Sequence, residues 1–135
     1  MQQLYTLSQA DVLKIINAVS QEFASKSLKA AMAVVDAHGE LLGFIRSDGC
    51  PYTSITISIN KAFSAARDRK ESKEIGDRTG EPRFHMTNYG DPRFTAWGGG
   101  VPIVYKGEVV GAVGVSGLTE DEDVRIARIG VALVI

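Results

Sequence analysis

The apolar positions of this chain change period several times. From Val12 through Ile15, Ile16, Val19 and Phe23 they recur at three- and four-residue intervals, which makes one face of a helix out of "LSQADVLKIINAVSQEFASKS". Ser8 and Asp11 form a capping-box pair at its start, and Leu7 takes the place of a hydrophobic staple. The period then shortens. "AAMAVVD" reads as a buried strand and "ELLGFIRS" as its partner, joined by a turn at Ala37-His38-Gly39. A second helical face, Ile55, Ile59, Ala62, Phe63 and Ala66, follows Pro51 and Ser54 and runs on as a polar helix through "RDRKESKE".

Residues 76–100, "GDRTGEPRFHMTNYGDPRFTAWGGG", lose all period and are dense in Gly, Pro, Asp and Asn. So long an irregular stretch in a compact fold is uncommon, and is usually functional or mobile. Strand patterning returns with "VPIVYK" and "EVVGAVGV" around a turn at Lys106-Gly107. A last helix follows Thr119. Thr119 and Glu122 have capping-box spacing, and Glu120 and Asp121 suit the positive end of its dipole. The pattern predicts one α+β domain over residues 1–135, with an antiparallel sheet that includes hairpins at 30–47 and 101–115. The hairpins also resemble each other. Gly39, Glu40, Gly43 and Gly49 match Gly107, Glu108, Gly111 and Gly117 at an offset of 68 residues, a weak repeat of a β-β-α unit.

The glycines of "GGGVPIVYKGEVVGAVGVSG" raise the question of a nucleotide loop. Gly111, Gly114 and Gly117 have the spacing G-x-x-G-x-x-G, not G-x-G-x-x-G, and no strand follows the last helix. Gly107 and Gly117 read as turn residues with positive φ. Gly111 and Gly114 read as strand glycines beneath a closely packed helix. An anion site where Ser116-Gly117 enters the last helix is the alternative, and the acids from Glu120 to Asp123 work against it.

Composition narrows the function classes. With 44% apolar and 23% charged residues the chain is of ordinary globular type. A net charge of −1 gives no footprint for nucleic acid or an anionic membrane. No apolar run approaches the roughly 20 residues of a membrane span. The start "MQQLYTLSQADVLK" lacks the pattern of a secretion signal. The single cysteine, Cys50, rules out a disulfide within the chain, and a cytoplasmic location is expected.

Candidate chemistry is sparse. His85 and Met86 lie in the irregular stretch, with Tyr89 and Trp97 beyond them. His, Met and Tyr can each ligate haem iron, and each is also ordinary in a packed loop. Arg67, Arg69 and Lys70 form a basic turn. It is either a solvated face paired with Asp68 and Glu71 or a clamp for a carboxylate or propionate. His38 reads as a turn residue. Cys50, before Pro51, reads as a buried thiol, with a reactive one as the alternative. No catalytic constellation stands out. The last helix carries two apolar stripes, Val124, Ala127, Val131 and Val134, and Ile126, Ile129 and Leu133. One stripe would cover the sheet, leaving the other for a subunit interface. The apolar end Val134-Ile135 is expected to be docked.

"AMAVVDAHGELLGFIRSDG", "SITISINKAFSAA" and "GGGVPIVYKGEVVGAVGVSGLTEDEDVRIARIGVAL" together resemble the GlcG/HbpS family of haem-binding proteins. The same domain is found at the C-terminus of PduO-type cobalamin adenosyltransferases and in small proteins near diol and glycerol dehydratase genes. The resemblance implies a profilin-like fold, an antiparallel sheet with helices packed on it, in a homo-oligomer. It implies a tetrapyrrole ligand, haem first and a corrinoid second. It leaves two other functions open: an accessory protein contacting dehydratase or reactivase subunits, and an enzyme acting on a small 2-hydroxy acid or an oxidised cofactor. Lys61-Ala62 and Val115-Ser116-Gly117 match family positions that suit structural and ligand roles alike. A haem would sit against residues 76–100, with His85 as first-choice iron ligand, Met86 or Tyr89 as the alternative, and Arg67 or Arg69 at the propionates.

Overall fold

The computed structural model describes residues 1–134. Two hairpins lie side by side in one four-stranded antiparallel sheet of order β2-β1-β4-β3. The strands are β1 (Ala31–Asp36), β2 (Leu41–Arg46), β3 (Gly100–Tyr105) and β4 (Glu108–Ser116). The hairpins therefore stand within a residue of the expected 30–47 and 101–115. β1 and β4 form the central pair, from Ala31 opposite Ser116 to Asp36 opposite Gly111. Both have helices on each face, so their sequences are apolar between the terminal residues instead of alternating.

α1 (Gln9–Ser25) and α4 (Glu120–Val131) cover one face, and α2 (Thr53–Asp68) covers the other. The main core lies on the α1/α4 side. There Met32, Val34, Val113 and Val115 meet Val12, Ile15, Val19, Ile126 and Ala127. The α2 side is thinner, with Ala33, Val35 and Ala112 against Ala62, Ala65 and Ala66. Its thinness comes from the strand glycines. A Cβ on Gly114 would collide with the Ser58 carbonyl and the Ala62 amide, and one on Gly100 with the Lys61 carbonyl. Of the close helix approach expected over Gly111 and Gly114, the structure has it at Gly114 only; at Gly111 the space is filled by Leu7, ahead of α1, and by the Val35 carbonyl.

α1 begins with the expected capping box. The Ser8 hydroxyl accepts from the Asp11 amide at 3.2 Å, and the Asp11 carboxylate accepts from the Ser8 amide at 2.9 Å. At α4 half of the box forms. Thr119 accepts from the Glu122 amide at 3.3 Å, while the Glu122 carboxylate turns to Arg125 at 3.0 Å. The repeat is visible in the backbone. Gly39 and Gly107 have φ of 88° and 79°, and Gly49 and Gly117 have 81° and 123°.

Three expectations need correction. Of the expected α2 face, Ala62, Phe63 and Ala66 are buried, but Ile55 and Ile59 are only half-buried, and the small or polar Ser54, Ser58, Lys61, Ser64 and Ala65 are buried in addition. A helix this close to the sheet admits small side chains and pushes branched ones to its flanks. Nor does α2 continue through "RDRKESKE". The backbone turns left-handed at Arg69 (φ 58°), and a separate α3 (Ser72–Arg78) starts. Ser72 fixes that start. Its hydroxyl donates to the Trp97 carbonyl at 2.8 Å and accepts from the Gly100 amide at 2.9 Å. α3 thereby takes the first residues of the stretch expected to be irregular, and Met86–Tyr89 forms a 3₁₀ turn within it. Finally, α1 packs on α4 and covers the stripe expected to be free. Ile126 is fully buried and Ile129 partly so, leaving Leu133 as the large exposed apolar residue of that stripe. Val134 is partly buried against the same core, and Ile135 lies outside the described residues.

Candidate functional site

Two clefts hold the chemistry, and they share no lining residue. The first is built by the loop after α3. Aromatic packing orders this loop without regular structure. Tyr89 stacks on Phe94 with ring centres 4.2 Å apart, Phe94 meets Phe63 of α2 edge-on at 5.1 Å, and Phe84 meets Tyr89 at 6.2 Å. Ser64 of α2 ties down the following strand of loop by accepting from the Thr95 amide at 2.9 Å.

The resulting open cleft, about 330 Å³, is lined by Asp68, Arg78, Arg83, Phe84, His85, Asn88 and Tyr89. His85 and Tyr89 are brought together here, with Met86 beside them on the 3₁₀ turn. His85 is exposed and Met86 half-buried. The Tyr89 hydroxyl donates to Asp68 Oδ1 at 3.1 Å. Burial, and then the Asp68 charge, push the phenol above its ordinary pKa. Asp68 Oδ2 is buried without a hydrogen-bond partner.

Arg67 and Arg69 do not line this cleft. Arg67 Nε donates to the His38 carbonyl, and its guanidinium lies over Phe63 at 5.1 Å. Arg69 faces Glu108 at 3.8 Å. The arginines beside His85 are Arg78 and Arg83, which were not singled out from the sequence. Both lie in the segment expected to be irregular, where Arg78 ends α3 and Arg83 lies in the loop beyond it.

The second cleft, about 480 Å³, opens where the first turns of α2 and α4 meet the end of β4. Its floor holds Lys61, Asp123, Ser54 and Ser116, each less than a tenth exposed. Lys61 Nζ donates to Asp123 Oδ2 at 3.0 Å and to the Val115 carbonyl at 2.9 Å. Asp123 Oδ1 accepts from the Leu118 amide at 3.1 Å. Burial raises the Asp123 carboxyl above its ordinary range, against the pull of Lys61 and the Leu118 amide. Trp97, Gly98 and Glu120 form the rim, and Glu120 Oε2 accepts from the Gly98 amide at 3.0 Å. Lys61 was noted in the sequence; its partner Asp123 read as one more acid of a helix start.

Other candidates resolve simply. His38 is exposed in the hairpin turn, where its amide donates to Asp36 Oδ1 at 2.8 Å. Cys50 is buried, and burial pushes its thiol up, away from a reactive thiolate. Among the described residues no group of three or more His, Cys, Asp or Glu could hold a metal ion, and no helix is long and apolar enough to cross a membrane.

The chain has clear relatives. The family model described as "Haem degrading protein HbpS-like" matches residues 7–132. A 15.0 kDa protein from the dhaT-dhaS intergenic region of Citrobacter freundii is 34% identical over 129 residues, covering 94% of this chain and 91% of that protein. Protein GlcG of Escherichia coli K12 is 36% identical over 110 residues, 82% of this chain and 81% of its own. Among solved structures, a double mutant of Streptomyces reticuli HbpS superposes with a TM-score of 0.89 at 27% identity, covering 100% of this chain and 91% of that one.

Proposed function

The chain belongs to the HbpS-like family, and from that membership we propose that it binds haem, with the His85 imidazole as the iron ligand. The observation that carries the choice of residue is the contrast between His85 and Tyr89. The His85 ring is exposed and has no hydrogen bond or ion pair among the described residues. Tyr89 spends its hydroxyl proton on Asp68, and the neighbouring carboxylate opposes the phenolate that iron would require. Met86 is half-buried on the same turn. The cleft therefore suits a histidine ligand, with Phe84 and Tyr89 as apolar walls.

Arg78 and Arg83 flank this cleft and take the propionate role that the basic turn of α2 suggested for Arg67 and Arg69. A bound haem supplies its own iron chemistry. The protein supplies the axial ligand, the apolar walls and the counter-charges. We also propose a homo-oligomer. Its support is the exposed apolar residues on both edge strands, Leu41 and Leu42 on β2 and Val104 and Tyr105 on β3.

Haem titration followed by absorbance tests the first proposal. The wild-type protein should produce a red-shifted Soret band, and His85→Ala should lose the shift and bind at least about tenfold more weakly. Tyr89→Phe should retain both. A hydroxocobalamin titration measures the corrinoid alternative in parallel. No Soret change in the wild-type protein overturns haem binding, and an unchanged His85→Ala spectrum overturns the ligand.

A further inference from the structure

The Lys61 cleft is unexplained by haem, and its floor is a set of buried polar groups. An ammonium carries three N–H donors. Two of those on Lys61 go to Val115 and Asp123, and the third has no acceptor among the described residues. Ser116 Oγ and Ser54 Oγ lie 3.3 Å apart, and since one hydroxyl proton suffices for that bond, one of the pair keeps a proton to donate elsewhere. Both side chains are more than nine-tenths buried, Lys61 at 3% exposure and Ser54 at 4%, and both face the cleft. Buried donors are rarely left unmade, because desolvation without a partner is costly. The floor thus offers hydrogen-bond donors to an acceptor oxygen.

Electrostatics identifies the kind of oxygen. The Lys61 charge is already matched by Asp123 at 3.0 Å. Glu120 adds a negative charge at the rim, and Asp121 and Glu122 follow it on the first turn of α4. An incoming carboxylate or phosphate would meet that excess. A hydroxyl meets no such penalty, since it accepts from Lys61 or Ser54 and donates to Glu120 Oε1 or Asp123. Trp97 lines the cleft with 61% of the residue exposed, unusual for tryptophan unless something covers it. Its face can pack the C–H side of a ligand whose other side carries hydroxyls. The volume of about 480 Å³ is in the range of small-molecule sites.

From these observations we propose that the cleft between the starts of α2 and α4 binds a neutral polyhydroxylated small molecule, a polyol or sugar. Lys61 and Ser54 act as donors, Glu120 as acceptor and Trp97 as the apolar platform. This site is separate from the His85 cleft, and haem-free protein suffices to examine it.

The chain has one tryptophan, so intrinsic indole fluorescence reports on this cleft alone. Haem-free protein is titrated with glycerol, D-ribose and D-glucose, and at matched ionic strength with sodium acetate and sodium phosphate. The ¹H–¹⁵N resonance of the Trp97 indole is followed in parallel. At least one neutral compound should give a saturable change with Kd on the order of 1 mM, and the two anions none. Ser54→Ala should weaken that binding about tenfold while leaving the remaining amide spectrum folded. Glu120→Gln should weaken it also and should not create acetate binding. Saturation by acetate or phosphate in place of the neutral compounds overturns the ligand class. The absence of any saturable change, or unaltered affinity in both variants, overturns the site.

Discussion

Lys61 of α2 and Asp123 of α4 meet at 3.0 Å past the end of the sheet, both side chains 4% exposed. The two helices otherwise lie on opposite faces, so this pair joins the layers directly. A buried pair gains little net stability over apolar residues of the same shape, but breaking it strands a charge. We expect Lys61→Met and Asp123→Leu to cost about 3–5 kcal/mol each. The double variant should be more stable than either single one. Urea denaturation of the four proteins checks this, and an additive double variant would show that the pair is not coupled.

The same aspartate has a pH signature. Its folded pKa is raised, chiefly by burial, so the folded chain holds this proton more tightly than the unfolded chain. This group alone therefore adds stability as pH falls from its raised folded value toward the ordinary 3.8. Asp11, Glu22, Asp91 and Glu122 have lowered values and work oppositely. Their contributions are present above the ordinary carboxylate range and are lost as pH falls through their folded values. Asp123→Asn removes the one opposing group in this set. The stability of wild type relative to Asp123→Asn should rise as pH is lowered from neutrality to about 4. Urea midpoints across that range measure it, and a constant or falling difference would contradict the assignment.

Gly114→Ala and Gly107→Ala separate two uses of glycine. At Gly114 the added Cβ meets the backbone of Ser58 and Ala62, which a side-chain rotation cannot relieve. At Gly107 there is open space, and the strain comes from φ of 79°. Gly114→Ala should cost about 3 kcal/mol or more, at the upper end of overpacking, and Gly107→Ala about 1 kcal/mol. Equal losses in thermal melts would mean that α2 yields and that its close approach to the sheet is soft.

Assembly should follow the sheet edges and not the last helix. Sedimentation should give a mass above the 14.5 kDa of one chain. Leu42→Lys on β2 should shift it downward, while Leu133→Glu on the exposed end of α4 should leave it unchanged. The opposite pattern would return the interface to the helix.

Much of the fold follows from local rules that survive into the folded chain. The period of Val12, Ile15, Val19 and Phe23 sets α1, and the Ser8–Asp11 box fixes where it starts. The β1 and β4 patterns, with turns at Gly39 and Gly107, set both hairpins. Gly114 announced a close helix, because nothing larger fits between a strand and a helix backbone at that distance. Periodicity did not carry the break at Arg69, because the left-handed turn there is supported by Ser72 reaching β3, a contact between residues far apart in sequence. Nor could a helical stripe show that α1 would cover Ile126 and Ile129, since each apolar face is silent about which neighbour will bury it. The sites depend most on tertiary structure. His85 could be picked out by residue type, yet Arg78 and Arg83 join it because aromatic packing of Phe84, Tyr89 and Phe94 folds the loop back on α2. Lys61 and Asp123 stand 62 positions apart, and only the packing of α2 and α4 on β4 brings them within 3.0 Å.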